Sequence, residues 1–176
     1  MVRLLPDSRY FEIFDLPAKL TLDVADLEQR YFRLSRLWHP DLFARKSDIE
    51  RQRALDQTAL INDAYRTLRN PVKRAGYVIG AQENEVQKPP EELLEEVFEL
   101  NMSLEELRSG DEDVRPQMEE QQQKFSAMLL NQDREMEALF SACDSGSAGT
   151  SELRALLNRR KYIQNLVNEV EKALNA

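Results

Sequence analysis

The sequence predicts an all-α protein: four N-terminal helices, two of them short, followed by a C-terminal three-helix bundle. Three observations carry this. Apolar residues recur at three- and four-residue spacing through every long segment, and no segment alternates convincingly with the period of two that a half-buried strand requires. Five glycines among 176 residues are few for a β-rich fold, which turns often. Leu, Glu, Gln, Arg and Ala, all good helix formers, dominate the composition instead.

A first short helix is expected around Arg9–Asp15, closed by Leu16-Pro17. Asp23 can cap the next, because a short side-chain acceptor satisfies free N–H groups at a helix start. That helix carries Val24, Leu27, Tyr31, Leu34 and Trp38 as one apolar stripe and stops before Pro40, which pushes His39 toward an extended conformation. Ser47-Asp48-Ile49-Glu50 reads as a capping box. The helix it opens turns Ala54, Ile61, Ala64, Tyr65 and Leu68 inward and ends at Asn70-Pro71. A fourth, about Val72–Ile79, packs Ala75 and Tyr77. Residues 81–90 have no strong period and read as a linker, dividing a module at 1–80 from a bundle at 91–176.

In the bundle a helix over Glu91–Leu107 turns at Ser109-Gly110-Asp111. The second places Val114, Met118, Phe125, Met128, Met136 and Leu139 on one face. The loop Asp144–Gly149 leads to a last helix through Leu156, Ile163, Val167, Val170 and Leu174.

Charge divides unevenly. Residues 1–80 hold 14 Lys/Arg against 11 Asp/Glu, whereas 81–176 hold 10 against 21, within a net −8. Two modules with different electrostatic tasks follow, and the acidic whole argues against general nucleic-acid binding. No apolar run approaches the ~20 residues of a membrane span. The N-terminal stretch is too short and too soon acidic for a targeting peptide, and Cys143 alone forms no internal disulfide. A reducing cytoplasm is the expected location, with a monomer slightly favoured as the oligomeric state.

His39 is the only histidine, and it stands in His39-Pro40-Asp41. A histidine base needs a nucleophile or metal beside it, and Cys143 is in the other module. One thiol and one histidine build no transition-metal site, no Gly-rich phosphate loop is present, and so neither a cofactor nor enzymatic activity is expected. Arg30, Arg33 and Arg36 lie opposite the apolar stripe with Gln29 among them. That side is either a solvated helix face or a docking surface for an acidic partner ending at the tripeptide. Likewise the tripeptide is either a helix stop beside a turn-forming Asp or a contact loop.

The run from Tyr31 to Asp41, together with Ile61-Asn62-Asp63-Ala64-Tyr65-Arg66-Thr67-Leu68-Arg69-Asn70-Pro71, Arg74 and Tyr77, resembles J-domains in register over residues 9–80. That resemblance implies an antiparallel hairpin of the second and third helices with His39, Pro40 and Asp41 in its loop. It further implies docking onto a DnaK-type chaperone, with Arg30, Arg33 and Arg36 in the contact, and stimulation of the chaperone's ATP hydrolysis. Where J-domains often have lysine after the tripeptide, this chain has Leu42-Phe43, and Phe43 is expected to pack back on the hairpin.

In the bundle, Leu93, Val97, Leu100, Leu104 and Leu107 should face inward, while Leu94, Phe98 and Met102 centre about 140° away. This second row is either the edge of a broad core stripe or an exposed binding surface with a charged rim at Glu95 and Glu99. Tyr162 lies off the stripe of the last helix, either as a boundary tyrosine or as an extension of that row. The architecture and the segment Leu93–Leu104 resemble HscB-type co-chaperones of iron–sulfur cluster assembly. The resemblance implies an HscA-type chaperone and an IscU-type scaffold protein as partners, the scaffold contacted by Leu94, Phe98, Glu99, Met102 and Tyr162. Glu95 departs from the family, which often has an apolar Met there. No cysteine-rich N-terminal extension like that of some eukaryotic relatives occurs, so the chain reads as the bacterial type. The alternative is a J-domain protein whose bundle serves dimerisation or a different client.

Overall fold

The computed structural model describes residues 8–80 and 90–175, so all of the expected linker except Pro90 lies outside the described residues. Among the described residues the secondary structure is helical, with no strand. The helices are α1 (Arg9–Ile13), α2 (Val24–Leu37), α3 (Asp48–Arg69), α4 (Pro71–Ile79), α5 (Leu94–Arg108), α6 (Arg115–Ser145) and α7 (Thr150–Leu174).

Local chemistry sets the starts. The Asp23 carboxylate accepts the N–H groups of Ala25 and Asp26 at 2.9 and 3.2 Å. Ser47 and Glu50 form the reciprocal capping box of α3. Asn70 caps α4 by accepting the Lys73 amide at 3.0 Å, with Pro71 in the first turn, where its missing N–H is harmless. All five residues expected inside α3 are buried. The α2 stripe holds less well: Leu27 is buried, Tyr31, Leu34 and Trp38 are half-buried, and Val24 at the helix start is exposed.

The chain forms two compact units, Met1–Glu83 with Phe140–Thr150, and Asn84–Leu139 with Ser151–Ala176. The turn joining α6 to α7 therefore groups with the first unit, which a division at 81–90 does not anticipate. The reason is chemical. The Asp144 carboxylate accepts the amides of Leu20 and Thr21, each at 2.8 Å, and the Thr21 hydroxyl. Arg74, buried in α4, donates to the carbonyls of Leu20 at 2.8 Å and Leu68 at 2.5 Å and lies over the Phe140 ring at 5.5 Å. Burial pushes the Arg74 guanidinium below its ordinary value, and Asp144 opposes that shift. Phe11, Phe14, Leu20, Leu27, Ile61 and Leu68 form the apolar centre of this unit.

The second unit is a three-helix bundle. Leu93, Leu100 and Leu104 pack with Val114, Met118 and Phe125 and with Ile163, Leu166, Val167 and Val170. Arg159 pairs at 3.0 Å with Glu92, in the turn that leads into α5, and Arg160 pairs at 2.6 Å with Asp133 of α6.

Candidate functional site

The first site is the loop between α2 and α3. His39 is extended (φ −60°, ψ 129°), as a residue before proline should be, and its Nδ1 accepts the Asp41 amide at 3.3 Å. A ring nitrogen accepting that hydrogen bond is the unprotonated one, which in neutral imidazole puts the proton on Nε2. Pro40–Phe43 makes one 3-10 turn, with the Leu42 amide donating to the His39 carbonyl at 3.0 Å. Two contacts anchor the ends of the loop. Trp38 stacks on Phe43, and the Thr58 hydroxyl of α3 donates to the Trp38 carbonyl at 2.8 Å. Phe43 thus packs back as expected. The result is a stiff loop whose Asp41 side chain keeps 88% of its surface in solvent. The His39 Nδ1 lies 3.6 Å from that carboxylate.

The hairpin behind the loop is held by an aromatic and polar seam. Tyr31 stacks on Tyr65 with centroids 4.0 Å apart, and its hydroxyl donates to Asn62 at 3.0 Å. The Tyr65 hydroxyl donates to Glu28 at 3.2 Å, and burial, more than Glu28, raises its pKa.

Of the three arginines expected on one open face, Arg33 and Arg36 are exposed. Arg30 is a correction. Its Nε donates to both oxygens of Asp26 at 3.0 Å, and its Nη1 donates to the carbonyls of Phe14 and Asp15 at 2.9 and 2.7 Å. The Asp26 hydrogen bond is also the main cause of its raised pKa. Arg30 fixes the turn after α1, where Asp15 takes a left-handed backbone (φ 52°). It is spent inside the fold rather than offered outward, because an acid one turn earlier and two free carbonyls lie within its reach.

The second site is α5. Leu94, Phe98 and Met102 are 49, 67 and 47% exposed, whereas Leu93 and Leu100 are buried and Val97 and Leu107 pack against the core. The two rows are therefore separate, as the spacing predicts, with Glu95 and Glu99 exposed beside the open one. Phe98, Glu99 and Met102 edge a groove completed by Glu106 and by Gln117 and Lys124 of α6. These α6 residues were not singled out in the sequence, because nothing local pairs them with α5. Tyr162 is half-buried against the bundle core, and burial raises its pKa, with Glu169 adding to it. Among the described residues no group of three or more His, Cys, Asp or Glu side chains converges to hold a metal ion, and no helix is long and apolar enough to cross a membrane.

Comparison with known proteins gives matches in both halves of the chain. The DnaJ domain family matches residues 9–77, and the HSCB C-terminal oligomerisation domain family matches residues 89–171. A co-chaperone protein HscB homolog of Aliivibrio salmonicida is 32% identical over 168 residues, covering 93% of this chain and 95% of that protein. One from Photobacterium profundum is 30% identical over 169 residues, again covering 93% of this chain and 95% of that protein. Among solved structures, chaperone HscB from Vibrio cholerae superposes with a TM-score of 0.68 at 31% identity, over 94% of this chain and 97% of that one. Human co-chaperone protein HscB gives 0.68 at 27% identity, over 95% and 83%.

Proposed function

Because this chain belongs to the HscB family of J-domain co-chaperones, whose setting is iron–sulfur cluster assembly and whose partner is an Hsp70-type chaperone, we propose that it delivers an IscU-type scaffold protein to an HscA-type chaperone and stimulates that chaperone's ATP hydrolysis. The single observation that most supports this is that two surfaces are left open to solvent while neighbouring residues hold them in place. Asp41 stands in solvent on a loop clamped by Trp38, Phe43 and Thr58. Leu94, Phe98 and Met102 stand in solvent on a helix whose other row is core.

Asp41, carried by the stiff turn at Pro40, forms a charge-assisted bond with an arginine of the chaperone, and Arg33 and Arg36 steer the approach. The bond acts by differential binding: it favours the hydrolysis-competent state of the chaperone over the resting one, and the catalytic groups stay with the chaperone. The scaffold covers Leu94, Phe98 and Met102, with Glu99 on the charged rim and Tyr162 contributing from α7. Carrying both contacts on one chain raises the concentration of scaffold at the chaperone, so stimulation is synergistic when all three proteins are present. The cluster is cargo, held by the scaffold. We place the activity in the cytoplasm, consistent with a lone, buried Cys143.

The test is the steady-state ATPase of an HscA-type chaperone with this protein and the scaffold, separately and together. Asp41→Asn should abolish stimulation. A Leu94→Ser/Phe98→Ser variant should keep the basal stimulation and lose the scaffold's increment. Stimulation by wild type that is the same with and without scaffold would remove the delivery role. The description of the matched C-terminal family as an oligomerisation domain favours a second reading, in which the bundle pairs with another copy. A dimer dissociated by Leu94→Ser/Phe98→Ser, with no scaffold binding by the wild type, would select it.

A further inference from the structure

Gln132 stands in an apolar row. It falls on the inward side of α6, seven residues after Phe125 and four before Met136, and is only 4% exposed. Its Nε2 donates to Glu135 Oε2 at 3.1 Å, which fixes the orientation of the carboxamide. The other end, Oε1, is buried and has no hydrogen-bond partner among the described residues. A buried acceptor left unpaired is destabilising, and a methionine of similar length would fill the same space without that loss. A glutamine here asks what its oxygen is for.

Gln132 lines an open groove of about 530 Å³ in the second unit. Buried Leu93 and Ile163 and half-buried Met128 give that groove an apolar floor. Its charged members are Glu92, Glu135 and Arg159, so one carboxylate is in excess. Arg159 is engaged by Glu92 at 3.0 Å, and Asn131 Nδ2 donates to Glu135 Oε1 at 2.6 Å. Asn131, Gln132 and Arg159 thus all turn donors to carboxylates, and none reaches Gln132 Oε1.

What this groove lacks is a positively charged donor with an apolar stem. We infer that it takes a primary ammonium on an unbranched aliphatic chain, the lysine side chain of a partner protein. The stem lies on Leu93, Met128 and Ile163, and the ammonium donates to Gln132 Oε1 and pairs with Glu135. Because Oε1 is already stripped of water, a bond to it forfeits no hydration on this side. The oxygen is recessed, and Met128, unbranched and adaptable, swings aside to admit the head group. A guanidinium is wide and planar and suits paired acceptors, which a single recessed oxygen does not offer. The open shape of the groove suits a side chain delivered on a protein surface. None of these residues belongs to the chaperone or scaffold surfaces proposed above.

The experiment is a titration of the full chain at neutral pH, followed by NMR of the Gln132 side-chain amide and the backbone amides of α6. The probe is Nα-acetyl-lysine N-methylamide. Two controls share its backbone: the norleucine amide, which has the stem and no ammonium, and the trimethyllysine amide, which has the charge and no N–H donor. The lysine amide should saturate, weakly, with shifts centred on residues 128–135. Both controls should bind at least about tenfold more weakly, the loss of one charge-assisted hydrogen bond. Gln132→Met should weaken the lysine amide by a similar factor and unfold at a higher temperature than wild type. Glu135→Gln, a change at an exposed position, should weaken it too, and carries the test if Gln132→Met fails to fold. If the norleucine amide binds as well as the lysine amide, the groove is an apolar contact only and the proposal is wrong. If the trimethyllysine amide does, charge alone recruits the probe and the proposal is again wrong. If Gln132→Met unfolds below wild type and binds the lysine amide undiminished, a structural water satisfies Oε1 and the site is overturned.

Discussion

Trp38 and Phe43 lie ring on ring across the His-Pro-Asp tripeptide, with centroids 5.8 Å apart and planes 4° from parallel. The stack closes the loop at its base, and the Thr58 hydroxyl ties the Trp38 carbonyl to α3. The tripeptide is consequently presented by a short, braced arch rather than by a free loop, which lowers the ordering entropy lost when a partner binds.

Phe43→Ala should destabilise the protein by about 1–2 kcal/mol, the scale of a half-buried ring and its stacking partner, measured by urea unfolding. It should also raise the concentration of protein needed for half-maximal chaperone stimulation under conditions where the variant stays folded. Phe43→Leu, which keeps apolar bulk and loses the stack, should fall in between. Unchanged stimulation by folded Phe43→Ala would show that the arch needs no brace.

Arginines of α2 separate into two kinds. Arg30→Ala removes the donor that holds the Phe14 and Asp15 carbonyls, so its unfolding midpoint should drop. Arg33→Ala and Arg36→Ala should leave that midpoint unchanged, weaken chaperone binding and flatten its dependence on salt. Binding measured at two salt concentrations beside thermal unfolding distinguishes the two classes.

Arg74 and Asp144 should matter to the first unit although they lie far apart in sequence. Arg74→Met leaves the buried Leu20 and Leu68 carbonyls without their donor and should destabilise by about 2–3 kcal/mol. Arg74→Lys should recover only part of this, since lysine lacks the fork that reaches two carbonyls. Asp144→Ala orphans the Leu20 and Thr21 amides, whereas Asp144→Asn keeps one acceptor and should cost less. Denaturant midpoints of the four variants order these effects.

The capping box of α3 carries a pH signature. The hydroxyl of Ser47, and next its backbone N–H, hold the Glu50 carboxyl below its ordinary value. A carboxylate whose pKa is depressed by folding contributes stability in full above its unfolded pKa and loses it as pH falls through the folded one. Glu50→Gln should therefore lower the thermal midpoint at neutral pH, and the gap to wild type should close on acidification into and below the usual carboxylate range. A gap independent of pH would show that the carboxylate charge is not what Ser47 recognises.

Much of this protein was legible because its determinants are local. Asp23, Ser47 with Glu50, and Asn70 with Pro71 start helices through contacts two to three residues away. The inward set on α3 and the two rows on α5 follow from a 100° turn per residue. Arg30 was misread for the complementary reason. Helical phase puts it beside Arg33 and Arg36, but phase is blind to carbonyls fifteen and sixteen residues earlier that the chain folds back to offer. Val24 has the phase of the apolar stripe but sits in the first turn, where it stays exposed.

By itself, then, the sequence determined the all-α class, the helix starts and the angular separation of two apolar rows on α5, because each depends on spacing or capping within a turn or two. Only the tertiary structure decided that Arg30 is bound, that Arg74 is buried beside the α6–α7 turn, and that Gln132 meets Leu93 and Ile163 around one groove. Those outcomes depend on which groups distant in the chain come within hydrogen-bond or van der Waals reach, and that is set by packing.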